Sequence, residues 1–261
     1  WHQNLIMYGK NEIICIAGKN QCSIDFLKFT AKKIKKRNIL VLPNKSDKGK
    51  FTWQPSLRYY AKMNNFKITN LKSLYKIENL IFISIEFEEI INLKNFKSKE
   101  LFNFHFSLLP KYRGCHTNFF QLYFGEKNSG VTLHKIDNGI DTGPIISNIK
   151  FKININDNAL VNYKRLMKSS FLLYKKNFVK IIKNNYKEKK QNNKRSTYFS
   201  RSSVNYDKMK HFSIKKMNLK FFHRIKAFIF PPLQLPLVNS KLVKNIRLIN
   251  KKIVLTYQWL N

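Results

Sequence analysis

Leu80–Ile85 reads LIFISI, an almost unbroken apolar run closed by Glu86 and Phe87. A strand with one wet face alternates apolar and polar residues. A run apolar at both parities must be covered on both faces, which is the situation of a central strand in a parallel sheet. Ile13–Ala17 is a second run of this kind, ending in Gly18-Lys19-Asn20. After it, Ile24, Leu27, Phe29 and Ile34 recur at helical spacing up to a basic end at Lys35–Arg37, and Ile39–Leu42 is the next strand. This order of strand, turn, helix and strand predicts an α/β fold built on a doubly wound, mostly parallel sheet. Gly18 stands alone, which is too little for a dinucleotide fingerprint, so no NAD is expected.

The alternation continues. Asn44–Thr52 is polar and reads as a loop. Trp53-Gln54-Pro55-Ser56-Leu57 opens a helix, with Pro55 in its first turn and Leu57, Tyr60 and Ala61 as its apolar stripe. Phe66–Thr69 reads as a short strand, Leu71–Tyr75 as a helical turn or two, and Thr117–Phe124 as a helix stopped at Gly125. Val131–Ile136 and Pro144–Ile155 have strand character. Asp157 signals the start of a long helix over Ala159–Asn184, where Leu166, Phe171, Tyr174, Phe178 and Ile181 recur on one face with lysines opposite.

Leu101–Gly143 carries the chemistry. Leu101–Phe106 has the content of a buried strand yet includes Asn103 and His105. Residues two apart in a strand share a face, so an amide and an imidazole project side by side where the run gives way to Ser107, Pro110 and Gly114. Asp141 follows in a loop bracketed by Gly139 and Gly143. Singly, each has an ordinary structural role, a hydrogen-bonded core histidine or a turn aspartate. Together they can polarise a carbonyl and manage a proton. His134, inside the strand Val131–Ile136, reads as structural or peripheral and not as a second catalyst; His116 reads either as a substrate contact or as a helix cap.

Asn103-x-His105, Ser107-Leu108-Leu109-Pro110, Tyr112-Arg113-Gly114 and Asp137–Gly143 occur in one order. This segment resembles the catalytic core of the 10-formyltetrahydrofolate-dependent formyltransferases. Such enzymes act on glycinamide ribonucleotide, on methionyl-tRNA or on nucleotide-linked amino sugars. Three further stretches resemble the amino-sugar branch: Ala17-Gly18-Lys19-Asn20, Thr52–Leu57, and Ile225–Phe228 with Gln234-Leu235-Pro236.

Composition separates the branches less well. Among 261 residues, 50 Lys and Arg against 14 Asp and Glu give a net charge of +36. Such a charge ordinarily points to a polyanion. Here it is spread along the chain together with abundant Asn, Ile, Phe and Tyr, as coding from A- and T-rich codons would produce, and it is weak evidence for RNA. Cys15, Cys22 and Cys115 have no metal-ligand spacing and read as reduced thiols of a cytoplasmic protein, and no run reaches the length of a membrane span. Residues 1–10 lack an initiating Met and a signal pattern, and are expected to be an extension or fragment boundary without function.

The expected organisation is a catalytic domain over 1–184, a basic connector at 185–197, and a small unit over 198–261. That unit holds a basic amphipathic helix, Leu219–Ile229, and two alternating runs, Leu242–Ile249 and Ile253–Trp259, around Asn250-Lys251-Lys252. A two-stranded hairpin is marginal alone. It is expected to dock on the main body or to pair with a second subunit, giving a homodimer. A helix and a hairpin are thin material for the barrel that tRNA-type enzymes carry, which leaves methionyl-tRNA as the alternative acceptor.

The resemblance implies direct formyl transfer from 10-formyltetrahydrofolate to the amine of a nucleotide-linked amino-dideoxy sugar, a precursor of surface polysaccharide. Asn103 and protonated His105 would stabilise the oxyanion, and Asp141 would hold the imidazolium and help take a proton from the amine. Glu86, Phe87, Asp137 and Ile140 would line the folate. Trp53, Lys111 and Arg113 are the candidate substrate ligands. Neither a metal nor a nucleic-acid or membrane partner is implied.

Overall fold

The computed structural model describes residues 11–214, 217–231 and 233–258. The expectations for residues 1–10 and Trp259 lie outside the described residues. Five strands come first: β1 (Ile13–Gly18), β2 (Ile39–Pro43), β3 (Lys67–Ile68), β4 (Leu80–Ile85) and β5 (Glu100–His105). After β6 (Arg113–Gly114) come β7 (Asn128–Lys135) and β8 (Ile145–Lys152). A seven-stranded sheet runs in the order β3-β2-β1-β4-β5-β7-β8. β1 to β5 pair in parallel, and β7 lies antiparallel to β5 with Asn103 opposite His134 and His105 opposite Thr132. This is the mostly parallel α/β sheet that the two apolar runs require.

The helices are α1 (Asn20–Ala31), α2 (Leu57–Met63), α3 (Leu71–Leu74), α4 (Thr117–Tyr123), α5 (Ala159–Ile182), α6 (Tyr206–Met209) and α7 (Leu219–Phe228). Two of the expected helix starts are displaced. Ser56, not Pro55, begins α2, because its hydroxyl takes the Tyr59 N–H at 2.9 Å. Asn158, not Asp157, caps α5 by accepting the Val161 N–H at 3.0 Å, while Asp157 is engaged by Arg165 and by the Asn154 N–H.

Packing groups the chain into two compact units, neither a continuous stretch. The first contains the described residues up to His105, Val131–Ile149 and Lys168–Asn192; the second contains Phe106–Gly130, Lys150–Met167 and the described residues from Asn193 onward. The connector expected at 185–197 is thereby divided between them.

In the first unit β5 shows how one strand serves two purposes. Phe104 points to the face covered by α1 and α5, where Phe26 stands edge-on at 4.9 Å and Tyr174 stacks on Phe26 at 4.2 Å. Leu101 points to the other face and joins Cys15, Ala17, Leu42, Leu74 and Phe82 in an apolar cluster. Asn103 and His105 continue Leu101's face beyond that cluster, at the carboxyl end of the strand. The strand order reverses between β1 and β4, and the crevice outside the carboxyl ends of such strands is where open α/β sheets take ligands. Gly18 closes β1 there because a side chain would meet the Ile85 carbonyl oxygen at 2.0 Å, and its φ of +151° suits glycine.

In the second unit the tail strands are β9 (Tyr198–Phe199), β10 (His211–Phe212), β11 (Leu237–Val238), β12 (Lys241–Ile249) and β13 (Lys252–Tyr257). β9 pairs in parallel with β6. The expected hairpin forms as β12 and β13, but the expectation that it lacks a partner within the tail is corrected. The small sheet runs β10-β11-β12-β13. Phe222, Ile225 and Ile229 form a buried cluster with Val238, Val243 and Ile246. The missing strands were invisible in sequence because β10 and β11 are each two residues long.

Candidate active site

The three residues singled out in sequence converge within the first unit. Asp141 lies between the side chains of β5 and β7: Oδ2 is 3.4 Å from Nδ1 of His105, and Oδ1 accepts from the Asn103 amide at 3.2 Å. A fourth residue joins them. His134 Nε2 is 3.4 Å from Asp141 Oδ1 and 3.3 Å from the Asn103 amide nitrogen. The reading of His134 as peripheral is therefore corrected. The cause is register: antiparallel pairing sets His134 directly opposite Asn103 on the same face. Nothing in the sequence fixes that pairing.

The Asp141 carboxylate is held within a strained loop. Asp141 adopts φ +54°, a left-handed conformation that costs a non-glycine residue about 1–2 kcal/mol. Gly143 lets the loop press against β7, since a Cβ there would lie 1.9 Å from the Lys135 carbonyl oxygen. Asp137 organises the loop from inside by accepting from the Gly139 N–H at 3.1 Å and the Thr142 hydroxyl at 2.6 Å. Ile140, beside Asp141, is 41% exposed.

Gln191 is the residue that sequence reasoning missed altogether. Its buried amide donates to the Asp141 carbonyl at 2.9 Å and to the Gly143 carbonyl at 2.7 Å. Its segment is anchored by reciprocal backbone bonds between Ile145 and Lys189, both 2.8 Å. A glutamine in a lysine-rich, connector-like stretch gives no sequence signal, because its role depends on a contact made across the fold.

At the carboxyl end of β4, Glu86 takes φ +51°. Asn20 donates to its carboxylate, and Asn44 donates to its carbonyl at 3.0 Å. Phe87 packs against the apolar cluster, 6.1 Å from Phe82. Trp53 is partly exposed on the polar loop that precedes α2, and Asp47 ties that loop to the Ser56 hydroxyl and the Arg58 N–H.

Lys111, Arg113 and His116 belong to the second unit. Lys111 pairs with Glu126 at 3.1 Å and keeps 56% of its side chain exposed. Arg113 is buried, and its guanidinium donates to Asn193 at 2.8 Å. Tyr112 also donates to Glu126, at 2.8 Å; burial and that carboxylate hold its hydroxyl well above the usual phenol range. His116 leads into α4 with φ +56°. Nε2 lies 2.8 Å from the Arg201 carbonyl and Nδ1 lies 3.1 Å from the Tyr206 hydroxyl. It ties backbone together instead of capping with its ring.

Among the described residues no group of three or more His, Cys, Asp or Glu is arranged to hold a metal ion, and no helix is long and apolar enough to cross a membrane.

Comparison with known proteins gives this geometry its family. WlaRD, a sugar 3N-formyl transferase solved in the presence of dTDP and 5-N-formyl-THF, is 45% identical with a TM-score of 0.88, over 93% of this chain and 88% of that one. An N-formyltransferase from Helicobacter canadensis, solved with folinic acid and dTDP-3-aminofucose, is 42% identical with a TM-score of 0.88, over 92% and 88%. The bifunctional polymyxin resistance protein ArnA of Wigglesworthia glossinidia brevipalpis is 36% identical over 143 residues, 54% of this chain. That match spans only 22% of ArnA's length. The formyl transferase family model matches residues 13–176, from β1 into α5, and includes Asn103, His105, His134 and Asp141. This chain belongs to the formyl transferase family.

Proposed function

We propose that this protein transfers a formyl group from 10-formyltetrahydrofolate to the amine of a nucleotide-linked amino-dideoxy sugar. The observation that carries the reading is the convergence of Asn103, His105 and Asp141 at the carboxyl end of β5. The relatives solved with folates and dTDP or a dTDP-amino sugar support the choice of donor and acceptor. The amine nitrogen forms a bond to the formyl carbon and gives its proton to Asp141. His105 gives a proton to the departing folate nitrogen, which keeps the electron pair of the broken bond. One proton then passes from Asp141 to His105 and resets the site. Asn103 and the protonated His105 face the developing oxyanion.

The flat donor is supported by Ile140, exposed beside Asp141, and by Glu86 and Phe87 at the end of β4. Asp137 serves the donor indirectly, because its carboxylate is used inside the loop. For the acceptor we retain Trp53 and Lys111. Arg113 is less suited to a diphosphate, since its guanidinium is buried on Asn193. The product is a surface-polysaccharide precursor made in the cytoplasm. The chain acts as a homodimer, a proposal that rests on β13 forming the edge of the small sheet and that sedimentation tests.

The test is a panel assay with 10-formyltetrahydrofolate. The acceptors are dTDP- and GDP-linked 3-amino and 4-amino sugars, glycinamide ribonucleotide, and charged initiator methionyl-tRNA. Turnover with a sugar nucleotide alone is expected. Efficient formylation of methionyl-tRNA would overturn the reading and give the charge of +36 a function.

A further inference from the structure

His134 is almost fully enclosed, with 2% of its side chain exposed, and its ring is fixed from two sides. Nδ1 lies 2.7 Å from the carbonyl oxygen of Lys135. A carbonyl only accepts, so Nδ1 carries the hydrogen, and in the neutral ring Nε2 holds a lone pair. That lone pair faces the Asn103 amide at 3.3 Å and Asp141 Oδ1 at 3.4 Å. The Asn103 amide also donates to the same Oδ1, at 3.2 Å. Two acceptors, an imidazole nitrogen and a carboxylate oxygen, thus stand side by side behind one amide donor. They repel each other until a proton arrives at either one.

We infer that His134 and Asp141 act as one proton-accepting pair, in which His134 is a positioning residue that shares the proton Asp141 takes from the attacking amine. The inference deepens the proposed function and rests on it for the source of that proton. In the step, the amine N–H bond breaks as its nitrogen bonds to the formyl carbon, and the proton moves to Asp141 Oδ1. The new O–H then points at His134 Nε2, which accepts it as a hydrogen bond. Removing the repulsion between the two acceptors makes that transfer more favourable than it is for an isolated aspartate.

Among the described residues, His105 also packs on His134, ring to ring at 6.3 Å. Lys135 projects to the opposite face of β7, where it pairs with Glu100 at 2.9 Å and lies 3.8 Å from Glu188.

Two measurements test the pair. His134→Gln keeps a hydrogen-bonding group but cannot take a proton. It is expected to lower kcat by about 10- to 100-fold, to leave KM for both substrates within about twofold, and to change the shape of the acid limb of the kcat–pH profile. A folded His134→Gln enzyme with unchanged kcat and an unchanged profile would overturn the inference. Nitrogen-15 NMR of the histidine rings in the wild-type protein needs no substrate. It should show a hydrogen on Nδ1 of His134 and an Nε2 signal that responds to Asp141→Asn. An Nδ1 without its proton, or an Nε2 indifferent to Asp141→Asn, overturns the pair. If no acceptor is turned over, the proposed function fails while the NMR result still decides the pair.

Discussion

Two sets of polar side chains, one in each unit, are bonded in opposite ways. In the second unit, three groups each have a short bond of their own. Arg113 reaches Asn193 at 2.8 Å, His116 reaches the Arg201 carbonyl at 2.8 Å, and Lys226 reaches the Ile155 carbonyl at 3.1 Å. In the first unit, Asn103, His105, His134 and Asp141 meet at 3.2–3.4 Å, longer than the usual 2.9–3.0 Å, and two of them compete for one donor. Catalytic hydrogen bonds are commonly long without substrate and tighten in the reacting complex. The contrast separates polar groups that hold a fold from the polar groups to which the proposed function assigns the proton. Two histidines make the point, since neither could be placed from sequence: His116 belongs to the first kind and His134 to the second.

The largest effect expected from this contrast is on catalysis. Asp141→Asn, His105→Asn and Asn103→Ala should each lower kcat on the order of 100- to 1,000-fold, with folate affinity within about tenfold. Steady-state kinetics and donor titration on folded variants are the check. His116→Gln, made in parallel, should leave the chemical step within a few-fold and act mainly on stability. A His105→Asn enzyme that turns over normally would remove the basis of the comparison.

Much of this was legible in the sequence for identifiable reasons. Apolar runs at both parities forced the parallel sheet, and the alternation Leu101, Asn103, His105 against Phe102, Phe104 placed two site residues on one face. The glycines around Asp141 announced a close backbone approach. Long-range register was not legible: His134 enters the site only because β7 pairs with β5 at Asn103. Gln191 was hidden for the same reason. The small sheet was half-read, since β12 and β13 are long enough to alternate, whereas β10 and β11 are too short to show any period.

The second unit offers a pH test of a buried group that only holds structure. Burial lowers the pKa of Lys226 from 10.5 to about 8, with Asp157 partly opposing; the side chain is 2% exposed. An unfolded lysine titrates near 10.5, so between about pH 8 and 10.5 the unfolded chain binds more protons than the folded one. Stability must rise with pH through that window. The shift corresponds to about 3 kcal/mol. Urea unfolding at matched pH should show the advantage of Lys226→Met over wild type shrinking by about that amount from pH 7 to pH 10.5. A pH-independent difference would mean that the ammonium is as well solvated as one in water.

Gln191 tests whether the site's long contacts depend on an ordinary, well-made bond nearby. Its two donations oppose the strain of a left-handed Asp141. Net hydrogen bonds are worth about 1 kcal/mol each, so Gln191→Leu should lower kcat by roughly tenfold. KM for the sugar nucleotide should hardly move, and the melting temperature should fall by a few degrees. Unchanged kcat in a folded variant would mean that Asp141 keeps its place without the latch, through Gly143 and Asp137 alone.

The smallest expected effect separates backbone strain that serves the site from strain that does not. Asp141 and Lys251 both have left-handed backbones, at φ +54° and +63°. At Asp141 the conformation aims a carboxylate at two imidazoles. At Lys251 it only completes a tight turn with Asn250, at φ +47°, between paired Ile249 and Lys252. Two residues with positive φ between antiparallel strands make the turn type that favours Asn-Gly. Lys251→Gly should therefore stabilise the protein by about 0.5–1 kcal/mol and leave formyl transfer unchanged. Asp141→Gly would relieve the same kind of strain but abolish turnover. Thermal unfolding and kinetics on the two variants measure both halves of this contrast. A Lys251→Gly protein that melts lower than wild type would show that the lysine side chain contributes more at the turn than its backbone conformation costs.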